Sequence, residues 1–352
     1  MNIDNELKKS GIEIISELDQ ESIVDISKYV TEEICNKFPN LHFNYDELFL
    51  EISNIPMYIA KISNSISEAN YFYKNSSIYF RDDLGLNLLK KYAIHEIIHH
   101  LQEIKDEKNN LLRLGLCNFE NSKIVGAAIN EAAVQIVSSY ISEEKPEIVT
   151  YYGINFLAIS PNLYPLICNL LSQMCYITGE DVLYDSVFNS NDNFKNKFIN
   201  LTNKNVYNKI LKNFDFLLDT EEKIFNINEN FEKENCPPKK KVKYQKLINT
   251  YISKIKNTFF ETQQIIYTSF FDKQFLKLQS ESDINIYKTR FSVYNELIGV
   301  TESYSNFSNY YLKKMKDLDK MHDKIINKLP TTKRKNKFII FLQKLLITIK
   351  GK

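Results

Sequence analysis

His95, Glu96 and His99 stand as His-Glu-Ile-Ile-His inside a stretch whose apolar spacing is helical. Four residues advance a helix by about one turn, roughly 6 Å along its axis, so both imidazoles leave one face and can converge on one ion. Glu96, one step round the helix, can reach a water on that ion without taking a coordination position. Three of the chain's five histidines, His95, His99 and His100, crowd this single turn. A catalytic zinc keeps three protein ligands and leaves a fourth position open, so a third ligand must come from elsewhere. Glu131, in Asn130-Glu131-Ala132, is the candidate. It lies off the apolar stripe of its own helix (Val125, Ile129, Ala133, Ile136, Tyr140) and beside the small residues Ala127, Ala128 and Ser138, which let two helices approach closely. The expected set is His95, His99 and Glu131 around Zn2+, with Glu96 as general base. Zinc brings the pKa of its water near neutrality, and Glu96 takes the proton as the water attacks a peptide carbonyl. The bland alternatives are a surface helix carrying His and Glu by chance and an ordinary surface carboxylate at 131. His100 reads as an idle surface side chain or, less readily, as a group supporting the ligands from behind.

His-Glu-x-x-His on one helix followed by Asn-Glu-Ala on the next resembles the gluzincin class of zinc metallopeptidases, over about residues 70–140 and at most to 185. The resemblance implies a zincin-like fold, hydrolase activity, the three ligands and base named above, and a strand at Ile78-Tyr79-Phe80 that borders the cleft and pairs with an extended substrate. It also implies a Tyr or His donor for the oxyanion. Tyr151, Tyr152, Tyr164 and Tyr184 are the candidates, and Tyr152 is the choice. The chain departs from thermolysin-like enzymes in two ways. The separation from the second His to the Glu is longer (131 − 99 = 32), and Gln135 stands where those enzymes carry an Asp that orients a zinc-bound His. A Gln carbonyl can still accept from His Nδ1–H without contributing charge. Gln135 and Asn130 are therefore expected beside the ligands.

The elements that must position these residues are mostly helical. The pattern predicts helix over 1–38, then a small antiparallel sheet from Phe49-Leu50-Glu51-Ile52, Met57-Tyr58-Ile59-Ala60 and Ser77-Ile78-Tyr79-Phe80. The motif helix is expected over 86–105 and the Glu131 helix over 122–142, with the histidines beside the core rather than in it. A loop-rich stretch follows Pro146, then a helix near 166–178 closed by Gly179 and further helix over 191–225. Residues 226–244, polar and interrupted by Pro237-Pro238, read as a linker, and 245–328 as almost wholly helical. The expectation is α+β: a zincin-like metallopeptidase domain over 1–225, the linker, and a helical C-terminal region over 245–352.

Composition narrows the function classes. The 45 basic and 44 acidic side chains nearly cancel, which gives no protein-wide grip on nucleic acid. Five cysteines without a Cys-x-x-Cys pair argue against a disulfide framework, and with no visible secretory signal a cytoplasmic setting is expected. Cys168 and Cys175 read as buried small hydrophobes. Lys239-Lys240-Lys241 reads as a solvated charged stretch rather than an import signal. The tail 333–352 alternates lysines with Phe338-Ile339-Ile340-Phe341-Leu342 and Leu345-Leu346-Ile347. That segment is too short to span a bilayer but suits packing, self-association or peripheral membrane contact. The partner expected at the site is a peptide or protein substrate. A catalytically inactive zincin-fold scaffold or sensor, acting through its helical half, is the alternative.

Overall fold

The computed structural model describes residues 3–63, 68–120, 123–233, 237–298 and 306–327. The chain divides into two compact units, Met1–Ile266 and Tyr267–Lys352.

The first unit is built around a four-stranded sheet and the helices that cover it. Helix α1 (Ile3–Lys9), strand β1 (Ile12–Glu17) and helix α2 (Gln20–Lys37) come first, then α3 (Tyr45–Ser53). Strands β2 (Met57–Ile62), β3 (Ala69–Phe72) and β4 (Ser77–Arg81) complete the sheet in the order β1-β2-β4-β3. It is mixed rather than antiparallel, because β2 and β4 run parallel, Met57 opposite Ile78. A parallel pair needs a crossover, and β3 supplies it by turning back as an antiparallel edge. Two sequence expectations change here. Residues 12–17 are strand, not helix: Ile12 is buried beneath the sheet while Ile14 and Ile15 are exposed. Residues 49–52 are helix, with Leu48 and Ile52 buried four apart on one face of α3.

Helix α4 (Leu86–Leu101) lies against β3, α2 and the later helix α5 (Ala127–Ile141). Between α4 and α5 the chain forms a second four-stranded antiparallel sheet: β5 (Glu103–Lys105), β6 (Leu111–Leu114), β7 (Cys117–Glu120) and β8 (Lys123–Val125). Both helices are consequently shorter than their patterns suggest, since 103–105 and 123–125 are strand. A hairpin follows α5, β9 (Glu147–Tyr151) and β10 (Ile154–Ala158), where a loop was expected. Helix α6 (Pro165–Thr178) ends at Gly179 as its sequence indicates. Cys168 and Cys175 are buried on it. Then come α7 (Glu180–Phe188), α8 (Asn193–Leu201), α9 (Lys204–Lys233) and α10 (Pro238–Phe275). Helices α6 and α9 flank α5, whose residues 132–139 are all buried.

The expected linker at 226–244 is helix at both ends, the close of α9 and the start of α10. The division between units falls within α10 instead, at 266/267. The second unit contains the end of α10, α11 (Glu281–Ile298) and α12 (Phe307–Asn327), and its core is aromatic. Phe271, Phe291, Tyr294 and Phe307 pack ring on ring at 4.7–5.7 Å. Among the described residues no helix is long and apolar enough to cross a membrane. The tail 333–352 lies outside the described residues.

Candidate metal centre

Helix α4 places His95 and His99 one turn apart, their rings 4.8 Å between centroids and inclined at 70°. Both are buried, 8% and 6% exposed, so they belong to the core rather than beside it. From α5, Glu131 reaches between them. Its Oε2 lies 3.5 Å from His95 Nε2 and its Oε1 3.5 Å from His99 Nε2, and the two Nε2 atoms are 3.1 Å apart. Two atoms each 2.0–2.1 Å from one ion at the tetrahedral angle stand about 3.3–3.4 Å from each other. The separations fall on either side of that value, each histidine nitrogen being measured to a different oxygen of Glu131. This buried His95, His99, Glu131 group could hold a metal ion.

Electrostatics agree with the geometry. Burial opposes charge on Glu131, but the two histidines outweigh it and hold its carboxyl well below the usual range. Burial likewise opposes protonation of His95, and Glu131, Glu96 and Gln135 together reverse the sign and raise its pKa. The centre therefore attracts positive charge. Two ring nitrogens and a carboxylate aimed at one point need a cation there, whether protons or a metal ion.

Gln135, one turn beyond Glu131, sets the orientation of His95. Its Oε1 accepts from His95 Nδ1–H at 2.9 Å, which leaves Nε2 as the atom facing Glu131. Its amide nitrogen donates to Ser160 Oγ at 2.8 Å and to Ser139 Oγ at 3.1 Å, and Ser139 donates to the Glu144 carboxylate at 2.9 Å. A negative charge thus stands two hydrogen bonds behind the Gln. Glu144 in turn pairs with Lys91 at 2.8 Å. Serine 139 follows Gln135 by four residues, a helical spacing that sequence reading could have caught; Glu144 and Ser160 come from loops and left no such signal. His99 Nδ1 is buried without a partner among the described residues.

Asn130 does not touch the histidines. Its Oδ1 accepts from Leu116 N–H at 2.9 Å and its Nδ2 donates to Gln102 Oε1 at 3.1 Å, tying the start of α5 to the end of α4. Gly115 permits this close approach: at φ +55°, a Cβ there would collide with both the Asn130 and Gln102 side chains. Asn130 is thus a brace between the two ligand-bearing helices.

The edge of the first sheet completes the site. Glu96 Oε2 accepts from the Tyr71 backbone N–H of β3 at 2.7 Å. Tyr71 Oη lies 3.1 Å from His100 Nδ1, so His100 is half-buried against β3 rather than idle on the surface. Strand β4, expected to border the cleft, is enclosed by β2 and β3, and its buried Ile78, Tyr79 and Phe80 belong to the core. The edge strand beside α4 is β3, with β1 at the opposite edge of the sheet. Arg81 N–H donates to the Glu68 carbonyl, so by alternation the backbone groups of Ala69 and Tyr71 point away from β4.

His95 and Glu96 face a cleft of about 360 Å³ bordered by Glu68 and Ala69 on one side and Asn162 and Leu163 on the other. Of the four candidate tyrosines, Tyr164 feels this site most directly: burial raises its pKa first, and then the charges of Glu131 and Glu96. Tyr152 packs on Tyr151 at 4.4 Å and feels Glu221 instead. Tyr184 stacks on Tyr140. Comparison with protein-family models, with curated proteins and with solved structures finds no match to this chain.

Proposed function

We propose that this chain is a zinc-dependent peptidase of zincin-like fold, with His95, His99 and Glu131 as ligands and Glu96 as general base. The observation that carries the reading is the convergence of three side chains, with His95 and His99 Nε2 3.1 Å apart and each 3.5 Å from one of the two Glu131 carboxylate oxygens, which suits one small cation. Nitrogen-rich, buried and with one carboxylate, the donor set favours zinc over calcium or magnesium, which take oxygen ligands. Bound there, zinc supplies Lewis-acid polarisation of a carbonyl and acidification of a water.

The chain's own groups supply the rest. Ala69, on the free edge of β3 and in the wall of the cleft, offers its N–H and C=O to an extended peptide, adding a strand to the sheet. Tyr71 cannot serve in the same way, because its N–H is committed to Glu96. That bond fixes Glu96 Oε2 and leaves Oε1 to take a proton from the attacking water. As the water oxygen bonds to the carbonyl carbon and the C–N bond breaks, the proton on Glu96 passes to the leaving amine nitrogen. Tyr164, whose phenol feels the charges of Glu131 and Glu96, replaces Tyr152 in this reading as the hydrogen-bond donor to the oxyanion. Gln135 keeps His95 Nε2 directed inward throughout.

The test is hydrolysis of a mixed peptide library by zinc-loaded protein, before and after chelation. Cleavage should vanish with the metal and return on stoichiometric zinc. A zinc-loaded protein that cleaves nothing would instead support a metal-bearing scaffold.

A further inference from the structure

Beyond the residues 162–163 that close one side of the metal cleft lies a second cavity, of about 310 Å³. Asn162 and Leu163 line both, so the second cavity adjoins the place where a peptide would react. Its walls are largely aromatic and aliphatic. One wall is α9, and from it comes Glu221, only 9% exposed. Glu221 Oε1 has no hydrogen-bond partner among the described residues. Burial alone acts on this carboxyl and pushes it up to about 8. A buried carboxyl oxygen without a partner is costly to keep, and among the described residues none offers Oε1 a hydrogen bond. A single water would occupy about 30 Å³ of the liquid, a small part of this space.

We propose that this cavity, walled by Tyr151, Tyr152, Tyr164, Leu218 and Phe225 with Glu221 set among them, is a specificity pocket for a lysine or arginine side chain of the substrate. The proposal rests on the peptidase reading of the neighbouring metal centre. The chemistry fits a long cationic side chain in both its parts. Apolar walls receive the methylene stem, and the carboxyl receives the ammonium or guanidinium head. A cation beside Glu221 stabilises its anion, so the bound pair is ionised where the empty pocket favours the acid. Glu222 also lines the cavity and is a second carboxyl for the cationic head.

The backbone holds this wall in place at some cost. Tyr152 at φ 49° and Tyr164 at φ 52° are both left-handed, a conformation that disfavours bulky residues. Tyr152 and Gly153 form the two-residue turn of the β9–β10 hairpin, a position that usually takes Asn-Gly. Tyr151 and Tyr152 both feel the same carboxyl: burial first, then Glu221, raises the pKa of Tyr151, and burial and the Glu221 charge also raise that of Tyr152.

The experiment is peptide binding by fluorescence anisotropy, using full-length zinc-loaded Glu96→Gln so that turnover does not intervene. The probes are four pools of labelled octapeptides with mixed flanks, identical except for a central Lys, Arg, norleucine or Glu. The Lys and Arg pools should bind at least about tenfold tighter than the norleucine pool, and adding Glu221→Gln should bring that ratio close to one. Because the double variant must be folded to be informative, butylguanidinium is also titrated against Glu96→Gln alone, where it should displace the Lys pool while butanol does not. Equal binding of Lys and norleucine pools, or a preference that survives Glu221→Gln, overturns the proposal. Wild-type hydrolysis of the same pools separates the two readings. Cleavage without preference leaves the peptidase and removes the pocket; selective binding with no cleavage leaves the pocket and removes the peptidase.

Discussion

Glu131 and Glu221 come from packed neighbours, α5 and α9, and in both burial opposes the charged form. Around Glu131 two imidazoles stand at 3.5 Å, and the carboxyl stays ionised. Around Glu221 no such company stands among the described residues, and burial pushes its pKa up to about 8. The Glu131 side chain is 28% exposed and Glu221 9%, yet it is the set of neighbours that gives the two shifts opposite signs. Helical spacing explains the contrast at the first site: His95, His99, Glu131 and Gln135 are two i, i+4 pairs on facing helices, so one crossing brings all four together.

Substitutions separate the two carboxyl environments, and the largest effect is expected at the base. Glu96→Gln keeps the shape and the ligand set, so metal content should stay at the wild-type level while hydrolysis falls about 10²–10⁴-fold in steady-state assays. Retained hydrolysis would mean that Glu96 is not the base. Next, Gln135→Leu removes the acceptor that orients His95 and should weaken zinc affinity by about 10–100-fold in competition with a chromogenic chelator. Affinity unchanged by that substitution would show that the Gln135–Ser139–Glu144 chain has no hold on the centre.

The smallest effect is the pH dependence of Glu221. The folded state keeps this proton up to about 8, whereas the unfolded chain releases it near the ordinary 4.5. Between those values the folded state binds more protons, so this group lowers stability as pH rises. Glu221→Gln removes that loss. The variant should melt higher than wild type at pH 8.5 and close to it at pH 4.5, a gap on the order of a few kcal/mol at the alkaline end. A gap that does not grow with pH would place a compensating partner on Glu221 and erase its contrast with Glu131.

Much of the centre was legible because it lives on helices. The four-residue spacing of His95 and His99 and the off-stripe position of Glu131 are local facts that the fold merely brings together. Gln135 as partner of His95 was legible through the gluzincin resemblance, since it stands where those enzymes carry an orienting Asp. What was hidden depends on contacts distant in sequence. Tyr71 reaches Glu96 through its backbone, which no side-chain motif announces. The orphaned state of Glu221 is defined by what surrounds it and not by its own neighbours in the chain. Elements failed where local pattern is ambiguous. Ile12-Glu13-Ile14-Ile15 suits a helix stripe until β2 pairs with it, and Phe49–Ile52 is rich in strand formers yet closes an amphipathic turn. The short strands β5 to β8 are stabilised by pairing with one another, so their sequences alone carry little signal. The continuous α9 and α10 override the polar composition that suggested a linker, since lysines and glutamates are good helix formers.

The most direct test of the metal centre is elemental mass spectrometry of purified wild-type protein beside His99→Ala and Glu131→Ala, after each is offered zinc and desalted. About one zinc per wild-type chain is expected, lost or sharply reduced in both variants, as a three-ligand site requires. Wild-type protein that retains no zinc, or variants that retain as much as wild type, would contradict it.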